Sequence, residues 1–494
     1  MLREFFHQTP YADKAERKAA LAQLQDKLNR QQLLIRQRGL PVLVLFEGWS
    51  AAGKGRLIGR TIRNLDPRFY SVTALTPLPS EEERRYPFLR RFFKVLPEAG
   101  DFAFLDGGWL EQTVRERLTG LSGDEEYAAR LESVNTFERQ LTDNGYVVLK
   151  FFLRIGEKEQ RRRLRKLEGD IDTAWRVNDY DLWQNRRYDA CLDAFDDYLS
   201  ATNAPNAPWF IVDCGSLKDA EARVLEALTA SIDTALENQS LAVPLLPNPF
   251  KLKTPPKLSE VDLNKSVSQE GYKRELAAKQ AELAALHNRV YRSRKPVVVV
   301  YEGWDAAGKG GNIRRVTDAL DPRGYEVIPI ASPEPHEKAR HYLWRFWTHL
   351  PKDGHIALFD RSWYGRVMVE RIEGFCSQND WQRAYREINE FEQELTAWGA
   401  VVVKFWVHID QATQLARFTE RQDTPEKRWK ITDEDWRNRE KWPAYEKAAD
   451  EMLKKTSTDF APWHILESND KRYARLKALD ILIREIRRGL LAGK

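Results

Sequence analysis

Leu21, Leu24 and Leu28 recur at helical spacing among Lys, Arg, Gln and Asp, which predicts an amphipathic helix over residues 11–38. Pro41 then opens an apolar run at 42–46, the pattern of a buried strand. Short apolar runs follow at 72–75, 102–105, 146–153 and 210–212. Between them lie helix-length polar stretches. One is basic and aromatic (Arg90, Arg91, Phe92, Phe93), one is very basic (158–166), and a last helix follows Asp219. Proline after Asp66 ends the helix that precedes it. Strands alternating with helices predict a parallel sheet covered by helices on both faces.

The alternation breaks at 241–257, where Pro244, Pro247, Pro249, Pro255 and Pro256 predict a semi-rigid connector. Beyond it the whole order returns. Leu276, Leu283 and Leu286 match the first amphipathic helix, and Pro296 matches Pro41. Asp321-Pro322 matches Asp66-Pro67, Arg345-Phe346 matches Arg91-Phe92, and Asp360 matches Asp106. Lys404 matches Lys150, and Trp429 matches Trp175. The offset is 255 at first and 254 after a single-residue gap. A shift this constant means tandem homologous domains. The expected division is 1–240, a linker at 241–257, and 258–494.

Composition narrows the setting. Of the 494 residues, 42% are hydrophobic and 31% charged, the balance of a soluble globular protein. Net charge is only +5, but the cations are clustered, and a clustered cationic field suits a polyanionic ligand. Weak net charge without a recognised nucleic-acid module argues against nucleic acid as partner. No apolar run approaches membrane-spanning length, and the N-terminus lacks the apolar core of a signal peptide. Cys191, Cys214 and Cys376 have no metal-like spacing and fit a reducing compartment, so a cytoplasmic location is expected.

The chemistry concentrates in Tyr301 to Gly311, Y-E-G-W-D-A-A-G-K-G-G, immediately after the apolar run 297–300. Gly303, Gly308 and Lys309 stand at the G-x-x-x-x-G-K spacing of a phosphate loop. Backbone N–H groups from Gly303 through Ala306, Ala307, Gly308 and Gly310 can wrap phosphate oxygens, and Lys309 adds a point charge. Gly310 stands where the Mg2+-binding Ser or Thr is usual. Asp305, inside the loop, and Asp360, at the end of the apolar run 356–359, could supply the metal carboxylates instead. Arg361 follows and could meet charge on a transferred phosphoryl group. Arg366, Glu370 and Arg371, expected on the next helix, either line an acceptor pocket or form a solvated face. A basic cluster from Arg417 to Lys430, with Arg421, Lys427 and Arg428, falls where P-loop kinases carry a mobile lid.

The motif set resembles the polyphosphate kinase 2 family. It rests on E-G-W-D-A-A-G-K-G-G, the D-P-R-G-Y after it, F-D-R-S-W-Y-G-R-V-M-V-E-R from Phe359 to Arg371, and R-W-K at Arg428 to Lys430. The match is close over about 270–485 and looser over 11–235. The resemblance implies two P-loop kinase-like α/β/α domains, each with a helical lid, similar to thymidylate kinase. It also implies transfer of the terminal phosphoryl of inorganic polyphosphate to a nucleotide with Mg2+, or Mn2+ in its place. Tandem members of the family look like polyphosphate:AMP phosphotransferases. By that match Asp305, Lys309, Asp360, Arg361 and Arg421 are the expected catalytic set, with Arg428 and Lys430 on phosphate.

The first copy, F-E-G-W-S-A-A-G-K-G-R at Phe46 to Arg56, departs where chemistry is done. Ser50 replaces the loop aspartate, and Gly107 and Gly108 replace Arg361 and Ser362. Leu110 replaces Tyr364, while Lys54 and Asp106 remain. This copy is expected to be catalytically poor, and to pack, to bind polyphosphate or to stabilise a homo-oligomer. Competing readings are an ATP-dependent nucleoside monophosphate kinase, a polyphosphate kinase acting on ADP or GDP, and a non-catalytic polyphosphate- or nucleotide-binding regulator.

Overall fold

A computed structural model describes residues 1–3, 11, 13–239 and 241–491, apart from the side chains at 427 and 430. The chain forms two compact units: Met1–Arg84, Leu89–Ala242 and Pro335–His341 in one, and Arg85–Phe88, Val243–Glu334 and Tyr342–Lys494 in the other.

Each unit is built on five parallel strands. In the first they are β1 (Val42–Gly48), β2 (Tyr70–Ala74), β3 (Phe102–Asp106), β4 (Val147–Arg154) and β5 (Trp209–Asp213). Their spatial order is β2-β3-β1-β4-β5. In the second they are β6 (Val297–Gly303), β7 (Tyr325–Pro329), β8 (Ile356–Asp360), β9 (Val401–His408) and β10 (Trp463–Glu467). The order there, β7-β8-β6-β9-β10, is the same path through the sheet. In both, the first strand lies centrally, so the loop leaving it opens beside the ends of its neighbours. Open parallel sheets bind ligands in that crevice.

The apolar runs map directly onto the burial. β1 and β9 are buried throughout, and β6 at every residue but its last, because helices cover both faces of these central strands. The edge strands β2 and β7 carry exposed residues.

Behind the second sheet, Lys404 of β9 is completely buried and pairs with Glu392 of helix Gln378–Ala397 at 2.7 Å. Its ammonium also donates to Thr456 O at 2.7 Å and the Tyr364 hydroxyl at 2.9 Å. Glu392 Oε1 in turn accepts from Trp363 Nε1 at 3.1 Å and from the Tyr364 hydroxyl at 2.6 Å. A buried ion pair is tolerated when every remaining donor and acceptor is satisfied in this way. The network fixes the two aromatic residues that follow Arg361–Ser362.

The segment after β8 differs from the single helix expected there. A 3-10 turn, Trp363–Val367, gives way at Met368 (φ −112°, ψ −95°) to a separate short helix, Val369–Glu373. The proline-rich connector is irregular, with one isolated bridge at Leu252, and from Val243 on it belongs to the second unit. Its carbonyls accept from Asn379 Nδ2 (Val243 O, 2.8 Å) and Arg386 Nη1 (Pro247 O, 3.0 Å). Among the described residues no helix is long and apolar enough to cross a membrane.

Candidate functional site

β6 ends at Gly303, with φ 139°. A Cβ there would lie 2.3 Å from the Val407 carbonyl oxygen, so only glycine lets the loop leave beside β9. The loop turns through Ala306 (φ 59°) to Gly308 (φ 114°), the cap of helix Lys309–Thr317. No side chain caps this helix, which leaves its first N–H groups open to an anion. Lys309 Nζ lies over the loop's own carbonyls, Gly303 O at 2.7 Å and Trp304 O at 3.2 Å.

The loop is clamped from behind. Arg417 donates to Ala306 O and Ala307 O, both at 2.9 Å, and to Ser468 O at 2.6 Å. Burial pushes its guanidinium down to about 10. Arg417, expected in the lid, is therefore an internal brace. Trp304 stacks on Trp442 at 3.6 Å and donates to His408 Nδ1 at 3.0 Å.

The acidic groups converge on this loop. Asp360 closes β8, opposite Tyr301 of β6. Asp305 Oδ1 accepts from Arg361 Nη2 at 3.1 Å, and Oδ2 from Asn438 Nδ2 at 3.0 Å. Arg361 adopts a left-handed backbone, φ 67°, unusual for a side chain with a Cβ. Ser362 Oγ donates to Glu302 Oε1 at 2.7 Å. Burial pushes the Glu302 carboxyl up to about 7, against the pull of Ser362, Lys309 and Arg361.

A cleft opens here, lined by Glu302, Gly303, Asp305, Arg361, Asn438 and Tyr445 over a floor that includes Trp406 and Met368. Of the residues expected from sequence, Gly303, Asp305 and Arg361 line it, and Lys309 and Asp360 adjoin it through their charge on Glu302.

The expected acceptor-pocket residues do not line this cleft. Arg366 pairs with Glu370 at 3.1 Å and lies over the Tyr342 ring. Arg371 binds Glu451 at 2.8 Å and stacks on Trp381. Met368 and Val369, from the bend between them, face the cleft instead. Arg421 stands among Arg417, Lys471 and Arg475, a cationic group against which the Lys471 ammonium, already lowered by burial, is lowered further. Arg428 is exposed and donates to Gln422 O at 2.8 Å. The Lys430 side chain lies outside the described residues. Glu302, Gln414, Glu434, Asn438 and Tyr445 are cleft residues that the sequence reading passed over.

The first unit keeps the frame and fills the cradle. Gly48 (φ 118°) and Gly53 (φ 103°) repeat the turn, and Arg163 repeats the brace onto Ala51 O and Ala52 O. Lys54, however, pairs with Glu111 at 3.4 Å. Burial opposes the charge on Lys54, but Glu111, Asp106 and Glu47 together raise its affinity for the proton. Glu111 stands at the position of Gly365. The first copy thus places a carboxylate where the second leaves space beside its cleft.

The family model for polyphosphate kinase 2 matches residues 11–240 and 266–490. The chain belongs to the polyphosphate kinase 2 family, with both of its units built on that domain. It is 41% identical over 474 residues to a Pseudomonas aeruginosa protein named polyphosphate:AMP phosphotransferase, covering 94% of this chain and 95% of the relative. An Acinetobacter johnsonii protein of the same name is 34% identical over 487 residues, covering 96% and 95%. A crystal structure described as a polyphosphate kinase 2 from Pseudomonas aeruginosa PA01 superposes with a TM-score of 0.83 at 38% identity, covering 98% of each chain.

Proposed function

We propose that the second unit moves the terminal phosphoryl group of inorganic polyphosphate to AMP, giving ADP, with Mg2+ as the metal. The observation that carries this is the convergence of Asp305, Lys309, Asp360 and Arg361 around one phosphate loop, together with the loss of Asp305 and Arg361 in the first unit. AMP as acceptor is supported by the two tandem-length relatives, which are named for it.

Phosphoryl transfer through a loose transition state asks the protein for position and charge rather than covalent help. The Gly303–Gly310 amides and the helix N-terminus hold the phosphate oxygens. Among the described residues the hydrogen bonds of Lys309 go to two loop carbonyls, which an anion can displace. Arg361 neutralises charge on the group in flight. Among the described residues no three His, Cys, Asp or Glu side chains form a metal cage. That suits Mg2+, which is content with one or two carboxylates, waters and substrate phosphates. Asp305 and Asp360 would hold it, where it would shield the charge of donor and transferred phosphate.

The test is a donor–acceptor matrix of polyphosphate or ATP against AMP, GMP and ADP, with Mg2+ or with excess chelator. ADP forming from polyphosphate and AMP, and ceasing with chelation, is the expected result. Turnover with ATP alone as donor would establish a nucleoside monophosphate kinase. Preference for ADP as acceptor would move the assignment to nucleoside diphosphates.

A further inference from the structure

We infer that Asn438, backed by Tyr445, is a positioning residue that orients the Asp305 carboxylate for its metal. Asn438 lies on helix Asp433–Glu440, and its Nδ2 donates to Asp305 Oδ2 at 3.0 Å. Its Oδ1 accepts from the Tyr445 hydroxyl at 3.2 Å. The direction is set by chemistry. A carboxylate only accepts, so the amide turns its NH2 toward Asp305 and its carbonyl toward the phenol. Arg361 holds the other carboxylate oxygen at 3.1 Å. Each oxygen then carries one donor and keeps a lone pair for a cation or its water. Three residues before Tyr445, Trp442 stacks on Trp304, the neighbour of Asp305, at 3.6 Å. One helical junction thus grips both the loop backbone and its carboxylate.

The two copies separate this relay from the frame. The frame survives in the first unit: Arg163 braces the loop as Arg417 does, and Trp49 stacks on Tyr188 at 4.1 Å, at the Trp304 and Trp442 positions. The relay does not. Asp305, Arg361, Asn438 and Tyr445 correspond to Ser50, Gly107, Gln184 and Cys191. Gln184 even reverses polarity, accepting through Oε1 from the Ser50 backbone N–H at 3.0 Å. A relay needed only for folding would have persisted with the brace. This one changed at Arg361, Asn438 and Tyr445, together with the carboxylate they serve.

The inference rests on Asp305 being a metal carboxylate, so Asp305→Asn is run beside Asn438→Ala and Tyr445→Phe in the full chain. Three quantities are read: Mn2+ binding by electron paramagnetic resonance with no polyphosphate or nucleotide present, the Mg2+ concentration for half-maximal turnover, and the KM for AMP. Removing a partner that orients a metal ligand typically weakens metal binding about 10- to 100-fold. Asn438→Ala is expected in that range and Tyr445→Phe below it, with parallel rises in the Mg2+ requirement. KM for AMP and the metal-free melting temperature should stay at their wild-type values. Asn438→Ala binding Mn2+ like wild type, while Asp305→Asn does not, overturns the positioning role alone. Wild-type Mn2+ binding by Asp305→Asn overturns the metal assignment and the positioning role with it. Equal losses in metal binding, KM and stability would reduce Asn438 to a packing residue.

Discussion

Lys309→Ala lowers turnover by about two to three orders of magnitude, whereas Lys54→Ala leaves it near wild type; this is the expected pair of results. The two lysines occupy the same position in homologous loops, so sequence alone treats them alike. Their partners differ. Among the described residues Lys309 donates hydrogen bonds to two carbonyls of its own loop, and its charge also reaches the Glu302 carboxyl. Lys54 is already engaged by Glu111, with Asp106 and Glu47 contributing to the same field. Its removal strips a counter-ion from a cluster of carboxylates, so its cost falls on folding rather than on turnover. Lys54→Ala should therefore lower the melting temperature, and Lys309→Ala should not. A Lys54→Met, Glu111→Gln double variant should recover the melting temperature, since both charges leave together. Turnover lost with Lys54→Ala in a folded protein, and kept with Lys309→Ala, would reverse the assignment of the two units.

Much of this was legible in the chain, and the exceptions have physical causes. The apolar runs marked the central strands because helices bury them on both faces. The offset between copies exposed Ser50 and Gly107 as losses, since those residues change chemical type at fixed positions. Asn438 was hidden by distance: it reaches Asp305 across 133 residues, from a charged helix whose pattern does not show which face turns inward. Glu302 read as one more strand residue, and only its burial at the strand's end sets its carboxyl apart. Arg366, Glu370 and Arg371 were placed on one helix, but the break at Met368 changes the phase between them, and Arg371 turns to Glu451. The clue to Glu111 was present as its exchange for Gly365. Its meaning needed the distance to Lys54.

Arg361→Gly should remove activity while leaving stability within about 1 kcal/mol of wild type. A side chain held in the left-handed region costs roughly 1–2 kcal/mol. Arg361 stands there at φ 67°, and its counterpart in the first unit is Gly107 at φ 81°. Glycine relieves that strain but adds roughly 0.5–1 kcal/mol of chain entropy to the unfolded state. The ion pair lost with it is small, because the Arg361 side chain is 48% exposed and a pair so open to water contributes less than about 1 kcal/mol. These contributions nearly cancel. Loss of a cation that meets a transferring phosphoryl group does not cancel: arginines in that role are worth about 10³- to 10⁵-fold in turnover. Arg361→Ala is the discriminating companion, since it loses the same cation and keeps the strained backbone. It should match Arg361→Gly in activity and melt below it. Equal melting temperatures would show that the strain is no larger than the roughly 0.5–1 kcal/mol of chain entropy that glycine adds, and turnover retained by both variants would remove Arg361 from the reaction. If activity falls and the melting order is glycine above alanine, the second unit keeps a strained arginine for its charge at a position where the first unit carries an unstrained glycine.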